Sequence, residues 1–423
     1  MSDDKYNFDT HSIHSEDHDD DSVSCTTPIH STASYLFKDT EEAADLFSLE
    51  KTGDIYSRIS NPTTRVFEDR ITNLEGGVGA VATSSGMAAI NLIISSLADK
   101  GDNIVSSSKL YGGTFTLFTQ RLPEYGIEVR MADKEKDIVN KIDEDTKCIH
   151  FETIGNPSLE VPDFERISQI AHENGLPLVV DNTFATPYLC KPIEHGADIV
   201  WHSTTKWING HGNAIGGIVI DSGNFDWKKA KFEQFYKEDD SYHGLSFYEQ
   251  FKERAFIEYC RCKGLRDFGA CPSPFNSFLN LIGLETLSLR MDKHCSNAEK
   301  LARFLKGHEK VNWVSYPGLE DHTFHSTASR YLKNGYGAVL TFGLDGGYKA
   351  GKKLIEEVEL ISFSANLGDT KSLIIHPSST IHRQLNEEEK KRSGVTDDLI
   401  RFSVGIEDPI DIKKDLKRAL NKI

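Results

Sequence analysis

Short apolar runs alternate with amphipathic stretches along the chain from residue 61 onward. The apolar runs fall at 79–83, 103–106, 147–151, 177–181, 198–201 and 216–220. Helical patterns lie between several of them, and the pattern at 163–174 is closed by Asn174 and Gly175, as is typical of a helix end. This alternation predicts an α/β fold with a mostly parallel central sheet and helices on both of its faces.

A second, smaller α/β unit is predicted toward the C-terminus. A long helical pattern around 276–306 precedes strand candidates at 338–344, 373–375 and 399–404 and a final helix near 409–421. The 423 residues are too many for a single core. We therefore predict an acidic N-terminal tail and extended arm at 1–58, a large domain at 59–285 and a C-terminal domain at 286–423.

The charge of the chain disfavours several classes of protein. Its 65 acidic and 48 basic residues give a net charge of −17, which argues against binding to nucleic acid or to an anionic membrane. No apolar run approaches the ~18 residues that a membrane-spanning helix needs. Seven cysteines, an odd number without a C-x-x-C motif, favour reduced thiols, and we predict a cytoplasmic protein.

The first 24 residues are predicted to be solvated and mobile because they are rich in Asp and Glu. His11, His14 and His18 lie there near helical spacing. No further residues are visible that would orient them as ligands, so we predict no metal site.

Two polar residues follow neighbouring apolar runs and indicate one chemistry. Asp181 ends the run at 177–181, and Lys206 follows the run at 198–201 within Ser-Thr-Thr-Lys. A lysine forms a Schiff base with pyridoxal 5′-phosphate (PLP), and a carboxylate keeps the pyridine nitrogen of PLP protonated. An ordinary surface lysine is the alternative if Lys206 is taken alone.

Two further motifs suit the phosphate group of such a cofactor. Ser85, Gly86 and Met87 lie where a strand ends and an alanine-rich helix begins, and free N–H groups at a helix start bind phosphate. Tyr56 and Arg58 lie just before another predicted helix, and the planar guanidinium of arginine suits phosphate. A plain serine cap and a surface arginine are the alternatives.

Three other residues suit the cofactor ring and an amino-acid substrate. Tyr111 precedes a glycine pair and is a candidate to stack on the ring, with a core aromatic as the alternative. Asn156, before a proline, is a candidate donor to a ring oxygen or a substrate carboxylate, or simply part of a turn. Arg401 lies in an apolar strand, where a charge requires a partner such as a bound carboxylate.

In combination these motifs resemble the PLP-dependent Cys/Met-metabolism enzymes, the cystathionine γ-synthase-like family, over residues 25–423. The matching stretches are Y-S-R-x-x-N-P-T (56–63), S-S-G-M (84–87), Y-G-G-T (111–114), E-T-x-x-N-P (152–157), D-N-T (181–183), S-T-T-K (203–206), H-P-S-S-T (376–380) and R-F-S-V-G-I-E (401–407). The resemblance implies the PLP-dependent transferase fold of the aspartate-aminotransferase type (fold type I). It also implies that the domain at 59–285 binds PLP, and that the protein is a homotetramer with active sites shared across a dimer interface.

The resemblance also implies a role for each matching residue. The catalytic residues are Lys206 as the Schiff-base lysine, Asp181 as the partner of the pyridine nitrogen and Tyr111 as the ring-stacking tyrosine. Tyr56 and Arg58 are implied to reach the phosphate of the neighbouring subunit. The implied cofactor-binding set is Tyr56, Arg58, Ser85, Gly86, Met87, Tyr111, Asn156, Asp181, Ser203, Thr205 and Lys206. The implied substrate-binding set is Asn156, Asn366 and Arg401.

Features around the lysine resemble one group within that family, the O-acetylhomoserine sulfhydrylases. They include Gly210-His-Gly212 after Lys206 and the stretch Ala-Asn-Leu-Gly-Asp at 365–369. The implied reaction is a γ-replacement that forms L-homocysteine and acetate from O-acetyl-L-homoserine and sulfide, in methionine and cysteine biosynthesis. The alternatives are a cystathionine γ-synthase, a cystathionine or methionine γ-lyase, an additional O-acetylserine sulfhydrylase activity, or a non-catalytic paralogue.

Overall fold

The computed structural model describes residues 6–14, 24–380, 383 and 394–423. A seven-stranded sheet forms the larger part of its framework, in the order β1-β7-β6-β5-β4-β2-β3. Its strands are β1 (Gly79–Thr83), β2 (Asn103–Ser107), β3 (Glu128–Ala132), β4 (Thr146–Glu152), β5 (Leu178–Asp181), β6 (Ile199–His202) and β7 (Gly217–Asp221). β7 is antiparallel to its neighbours β1 and β6, and every other pair is parallel.

A five-stranded sheet follows in the C-terminal part of the chain, in the order β10-β11-β12-β9-β8. Its strands are β8 (Val311–Ser315), β9 (Val339–Leu344), β10 (Ser362–Phe363), β11 (Leu373–Ile375) and β12 (Leu399–Ser403). Only β10 and β11 pair in parallel.

Eight described helices are eight residues long or longer. They are α1 (Thr40–Phe47), α2 (Pro62–Glu75), α3 (Gly86–Leu97), α4 (Phe164–Glu173), α5 (Pro274–Glu285), α6 (Leu287–Lys306), α7 (Gly347–Glu357) and α8 (Pro409–Leu420). None of the helices in the described part of the chain is long and apolar enough to cross a membrane.

The central strands and the first long helix form for reasons visible in the sequence. Every residue of β5 and β6 is buried, as expected for parallel strands that are covered on both faces. α2 begins with Asn61, whose side chain accepts the Thr63 N–H, and with proline at its first position. The predicted α/β class with a mostly parallel central sheet is confirmed.

Three strands (β3, β8 and the two-residue β10) were not predicted, and two helices were predicted as one. β3 carries the charged residues Glu128 and Arg130 and lies at the edge of its sheet, and β8 also lies at a sheet edge and is only partly buried. Both lack the apolar run by which buried strands were predicted. The single helical stretch around 276–306 is instead two helices, α5 and α6, separated at Thr286.

The prediction of a solvated tail and an extended arm was wrong for two segments. Phe8–Ile13 is a helix that contacts α2 and α5, and its Phe8 ring lies 5.1 Å from that of Tyr188. Within the arm, Asp39 accepts the Glu42 N–H at 2.8 Å and caps α1. Apolar side chains and a helix cap therefore override the acidic composition here. Residues 1–5 and 15–23, with most of the acidic run and His18, lie outside the described residues.

Candidate active site

The ends of three adjacent parallel strands form one wall of a cavity of about 240 Å³. In the pairing of β4 with β5, Glu152 lies opposite Asp181, and in that of β5 with β6, Asp181 lies opposite Trp201. Ligands of open α/β sheets bind at this edge. The cavity is lined by Ser85, Gly86, Met87, Tyr111, Glu152, Ile154, Asn156, Asp181, Thr183, Phe184, Trp201, Ser203, Thr205, Lys206, Ile215, Ala365, Leu367 and Arg401.

Lys206 lies in the loop after β6 and places its amine in this cavity. Its Nζ donates to Oδ1 of Asn366 at 2.5 Å. Asn366 comes from the loop before β11, and this loop lies so close to the lysine that a Cβ on Gly368 would be 2.8 Å from the Trp207 nitrogen. Burial, and secondarily the charge of Arg401, lowers the pKa of Lys206 to about 8. A neutral amine, suited to attack a carbonyl or to accept a proton, is therefore available near neutral pH.

Asp181 is the last residue of β5 and is 7% exposed. Its Oδ1 accepts the Thr183 N–H at 2.9 Å, which fixes the orientation of the carboxyl group. Burial raises the pKa of Asp181 to about 6, so the group is still ionised at neutral pH. A cationic nitrogen brought beside it would stabilise the ionised form further.

The start of α3 lies next to the lysine loop. The Ser85 Oγ accepts the Ala88 N–H at 3.1 Å and caps the helix. A Cβ on Gly86 would lie 2.6 Å from the Cβ of Ser203, so only glycine permits this approach. The hydroxyl of Thr205 is held by the Gly216 backbone, whose N–H donates to it at 3.0 Å. A helix start and hydroxyl side chains thus converge where an anion would be favoured.

The cavity is also lined by an aromatic ring and a buried cation. Tyr111 is 46% exposed and lines the cavity from the loop after β2. Arg401 on β12 is 4% exposed, and it donates to Oδ1 of Asn156 at 3.3 Å and to the Ala365 carbonyl at 3.0 Å. Burial lowers the pKa of Arg401 to about 10, which leaves the guanidinium charged at neutral pH. Among the described residues, no carboxylate forms a salt bridge with it.

Tyr56 and Arg58 are not among the residues that line the cavity. The Cζ of Arg58 lies 5.1 Å from the centroid of the Tyr56 ring, and Tyr56 is exposed. Their assignment to a neighbouring subunit's phosphate stays a prediction. The structure thus brings together all the predicted cofactor residues except these two, with Asn366 at the amine.

No role was predicted for Glu152, Thr183 or the apolar lining residues. Glu152 lies in the motif E-T-x-x-N-P at 152–157, of which only Asn156 was predicted to have a role. Its carboxylate accepts the Tyr111 N–H at 2.6 Å and the Asn156 N–H at 3.0 Å. Burial, followed by the charge of Asp181, raises the pKa of Glu152 well above its usual range.

The family model described as "Cys/Met metabolism PLP-dependent enzyme" matches residues 9–421. The chain belongs to this family. A homocysteine synthase of Schizosaccharomyces pombe is 51% identical over 419 residues, which cover 98% of each chain. An O-acetyl-L-homoserine sulfhydrylase of Leptospira meyeri is 47% identical over 416 residues, which cover 96% of this chain and 94% of the relative.

A solved structure with substantial sequence identity has the same fold. It is the crystal structure of a protein described as an O-acetylhomoserine (thiol)-lyase from Campylobacter jejuni, with N′-pyridoxyl-lysine-5′-monophosphate. The TM-score is 0.95 at 39% sequence identity, and the match covers 98% of this chain and 100% of that one. The predicted PLP-dependent transferase fold is confirmed, and PLP as the cofactor is likewise confirmed.

The lining of the cavity in this Cys/Met-metabolism enzyme suits the chemistry of PLP. The amine of Lys206, the buried carboxyl of Asp181 and the exposed ring of Tyr111 suit the aldehyde, the ring nitrogen and the ring face respectively. Gly86 lets the start of α3 pack directly against Ser203, so a helix N-terminus and hydroxyl groups that would suit the phosphate lie side by side. Among the described residues, no group of three or more His, Cys, Asp or Glu side chains is arranged to hold a metal ion.

Proposed function

We propose that this protein forms L-homocysteine and acetate from O-acetyl-L-homoserine and sulfide, in sulfur amino-acid biosynthesis. The observation on which the proposal rests is the pairing, in one cavity, of the Lys206 amine with a buried Arg401 that has no carboxylate partner among the described residues. A buried guanidinium without an anion is unfavourable unless a bound group completes it. The α-carboxylate of an amino acid is such a group.

Each of several side chains around the cavity has its own role in the proposed reaction. PLP, when bound, supplies the electron sink that makes the α-proton of the amino acid acidic. Lys206 is the attachment point, and its amine, once displaced, accepts the α-proton, for which a pKa of about 8 is well suited. The Asp181 carboxylate holds the proton on the ring nitrogen. Arg401 and Asn156 hold the substrate carboxylate.

Tyr111 and Asn366 flank the proton transfers. We propose that the Tyr111 hydroxyl assists the proton transfer at Cβ or the departure of acetate from Cγ. The Asn366 Oδ1, which accepts from the Lys206 amine, keeps this amine oriented toward the cavity. Sulfide then adds at Cγ, and the proton transfers are reversed to release homocysteine.

The charges of the cavity favour sulfide over cysteine as the second substrate. In the described part of this chain, its lining has two cationic side chains, Lys206 and Arg401. The first attaches the cofactor and the second binds the carboxylate of the first substrate. Apolar side chains (Ile154, Phe184, Ile215 and Leu367) line much of the remaining wall. In this chain's part of the cavity, the carboxylate of cysteine thus has no cationic partner left, whereas sulfide needs none.

The relatives support the acetyl ester and the sulfide acceptor. The names of the Schizosaccharomyces pombe and Leptospira meyeri proteins describe a homocysteine synthase and an O-acetyl-L-homoserine sulfhydrylase. In Saccharomyces cerevisiae, a relative that is 48% identical over 434 residues is called a homocysteine/cysteine synthase. A side activity on O-acetyl-L-serine is therefore part of the proposal.

Turnover of a substrate panel tests this function. The purified holoenzyme is incubated with O-acetyl-, O-succinyl- and O-phospho-homoserine and with O-acetylserine, each with sulfide or with cysteine, and the products are identified by mass spectrometry. We expect homocysteine from O-acetylhomoserine and sulfide at the highest kcat/KM. Cystathionine as the main product would indicate a cystathionine γ-synthase, and α-keto acid from cystathionine or methionine alone would indicate a γ-lyase.

We also propose a homotetramer whose active sites are shared between paired subunits, located in the cytoplasm. Tyr56 and Arg58 lie outside the cavity of their own chain and remain available to another. The chain divisions 1–58, 59–285 and 286–423 belong to the same proposal. An Arg58→Ala chain co-expressed with a differently tagged Lys206→Ala chain should recover part of the activity. Isolated mixed dimers with no more activity than either parent would exclude shared sites.

A further inference from the structure

Glu152 accepts hydrogen bonds from two active-site loops that lie in different parts of the chain. It is the last residue of β4, is 6% exposed and lies opposite Asp181 in the parallel pairing. One of its carboxylate oxygens accepts the N–H of Tyr111, in the loop after β2, at 2.6 Å. The other accepts the N–H of Asn156, in the loop after β4 itself, at 3.0 Å.

These two N–H groups have no second acceptor among the described residues, so only this carboxylate satisfies them. An acceptor lost from a buried N–H group costs the desolvation of that group. Asn156 in turn accepts from Arg401 through its side chain. One carboxylate thus fixes the ring of Tyr111 on one side and the Asn156–Arg401 pair on the other.

We propose that Glu152 is a positioning residue. It holds the ring-stacking Tyr111 and the Asn156–Arg401 pair, which would bind the substrate carboxylate, in the correct positions relative to Lys206. It acts through the backbone of the two loops, whereas Asp181 beside it acts on the cofactor directly. Its effect on the cofactor environment is independent of the sulfur substrate. Only its effect on the KM of the amino acid rests on the function proposed above.

Glu152→Gln is the decisive substitution because it keeps the shape of the side chain. The amide offers one oxygen acceptor, and its NH₂ faces a backbone N–H that also donates. Glu160→Gln is the matched control. Glu160 is a half-buried glutamate eight positions further on, its pKa is also raised by burial, and its side chain is not among the residues lining the active-site cavity.

The readouts separate positioning from general stability. For Glu152→Gln we expect PLP to stay attached to Lys206, with altered visible circular dichroism and an amino-acid KM raised by about tenfold or more. The KM for sulfide should change less. Glu160→Gln should match the wild type in PLP attachment, in visible circular dichroism and in both KM values. A Glu152→Gln enzyme with wild-type circular dichroism and KM would overturn the proposal, whatever its thermal midpoint.

Hydrogen exchange of the wild-type holoenzyme gives a test that requires no variant to fold. Overlapping peptides that isolate the amides of Tyr111 and Asn156 should show slow exchange at both, although both lie in loops. Fast exchange at both amides would overturn the proposal. Slow exchange combined with an unfolded Glu152→Gln chain would still support it. Circular dichroism and hydrogen exchange can still be measured if no substrate of the panel is turned over. A failure of the proposed function can therefore be told apart from a failure of the proposal for Glu152.

Discussion

We expect the substitution Arg401→Met to weaken substrate binding strongly while changing the stability of the fold only slightly. The guanidinium has five N–H groups, and contacts to Asn156 and Ala365 use two of them, so three remain for a ligand. A substrate carboxylate that accepts two charge-assisted hydrogen bonds gains about 1.5–3 kcal/mol from each. In Arg401→Met both of these hydrogen bonds are lost. At 1.4 kcal/mol for each factor of ten, kcat/KM for the amino-acid substrate should fall by about 10²- to 10⁴-fold.

Stability should change far less in the same variant. Methionine removes the desolvation cost of a buried charge that lacks a carboxylate partner, which offsets the two lost hydrogen bonds. We therefore expect the free energy of unfolding to stay within about 2 kcal/mol of the wild type. Arg401→Lys retains the charge but loses the planar fork, and its kcat/KM should be intermediate.

The assay is steady-state kinetics with O-acetylhomoserine as the varied substrate, alongside urea unfolding of both PLP-loaded proteins. The cofactor absorption band serves as the control for an intact site. A kcat/KM that falls by less than about tenfold in Arg401→Met would show that another group binds the substrate carboxylate. A fall in activity matched by an equal loss of stability would refute the reasoning as well.

Three further predictions concern the lysine and its acidic partner. Lys206→Ala should lose both the lysine–PLP absorption band and turnover; a reducible lysine–PLP linkage in this variant, found by peptide mapping, would contradict the assignment. Asp181→Asn should still bind PLP but turn over several orders of magnitude more slowly, because the ring nitrogen loses its anionic partner; near-normal kcat would exclude the role. In cofactor-free protein, the lowered pKa of Lys206 means that the unfolded chain holds more protons than the folded one between about pH 8 and 10.5. Wild-type stability should therefore rise relative to Lys206→Met in that window, and parallel urea midpoints for the two proteins would contradict the burial of a charged amine.

The positions of Lys206 and Asp181 were predictable because Asp181 ends one buried apolar run and Lys206 comes shortly after the next. Residues at the ends of adjacent parallel strands meet at one edge of a sheet, so local patterns were sufficient. The direction of β7 was not predictable in this way. An apolar run has the same appearance in a parallel and in an antiparallel strand, and only the pairing with β1 and β6 distinguishes them.

Contacts between distant parts of the chain were beyond the reach of local patterns. Asn366 was assigned to the substrate carboxylate by resemblance, and its contact with the Lys206 amine joins loops from two different sheets. The role of Glu152 is hidden for a similar reason. Its partners are backbone N–H groups, which have no signature in the residue types around them. The charged edge strand β3 was missed because it has little apolar face to detect.

The place of β1 at the edge of the large sheet bears on the order in which the protein is made. In the part of the chain that the structure describes, β1 pairs only with β7, so its ladder cannot form until Asp221 is available to pair with Gly79. The turn that starts α3 follows β1 directly. Its contact with the loop that carries Lys206 therefore forms only once β1 has paired with β7. Such distant pairings close large loops and are slow to form. Arg401 lies on β12, the last strand of the described chain, so a growing chain would complete the lining of the cavity long after Lys206 has been synthesised.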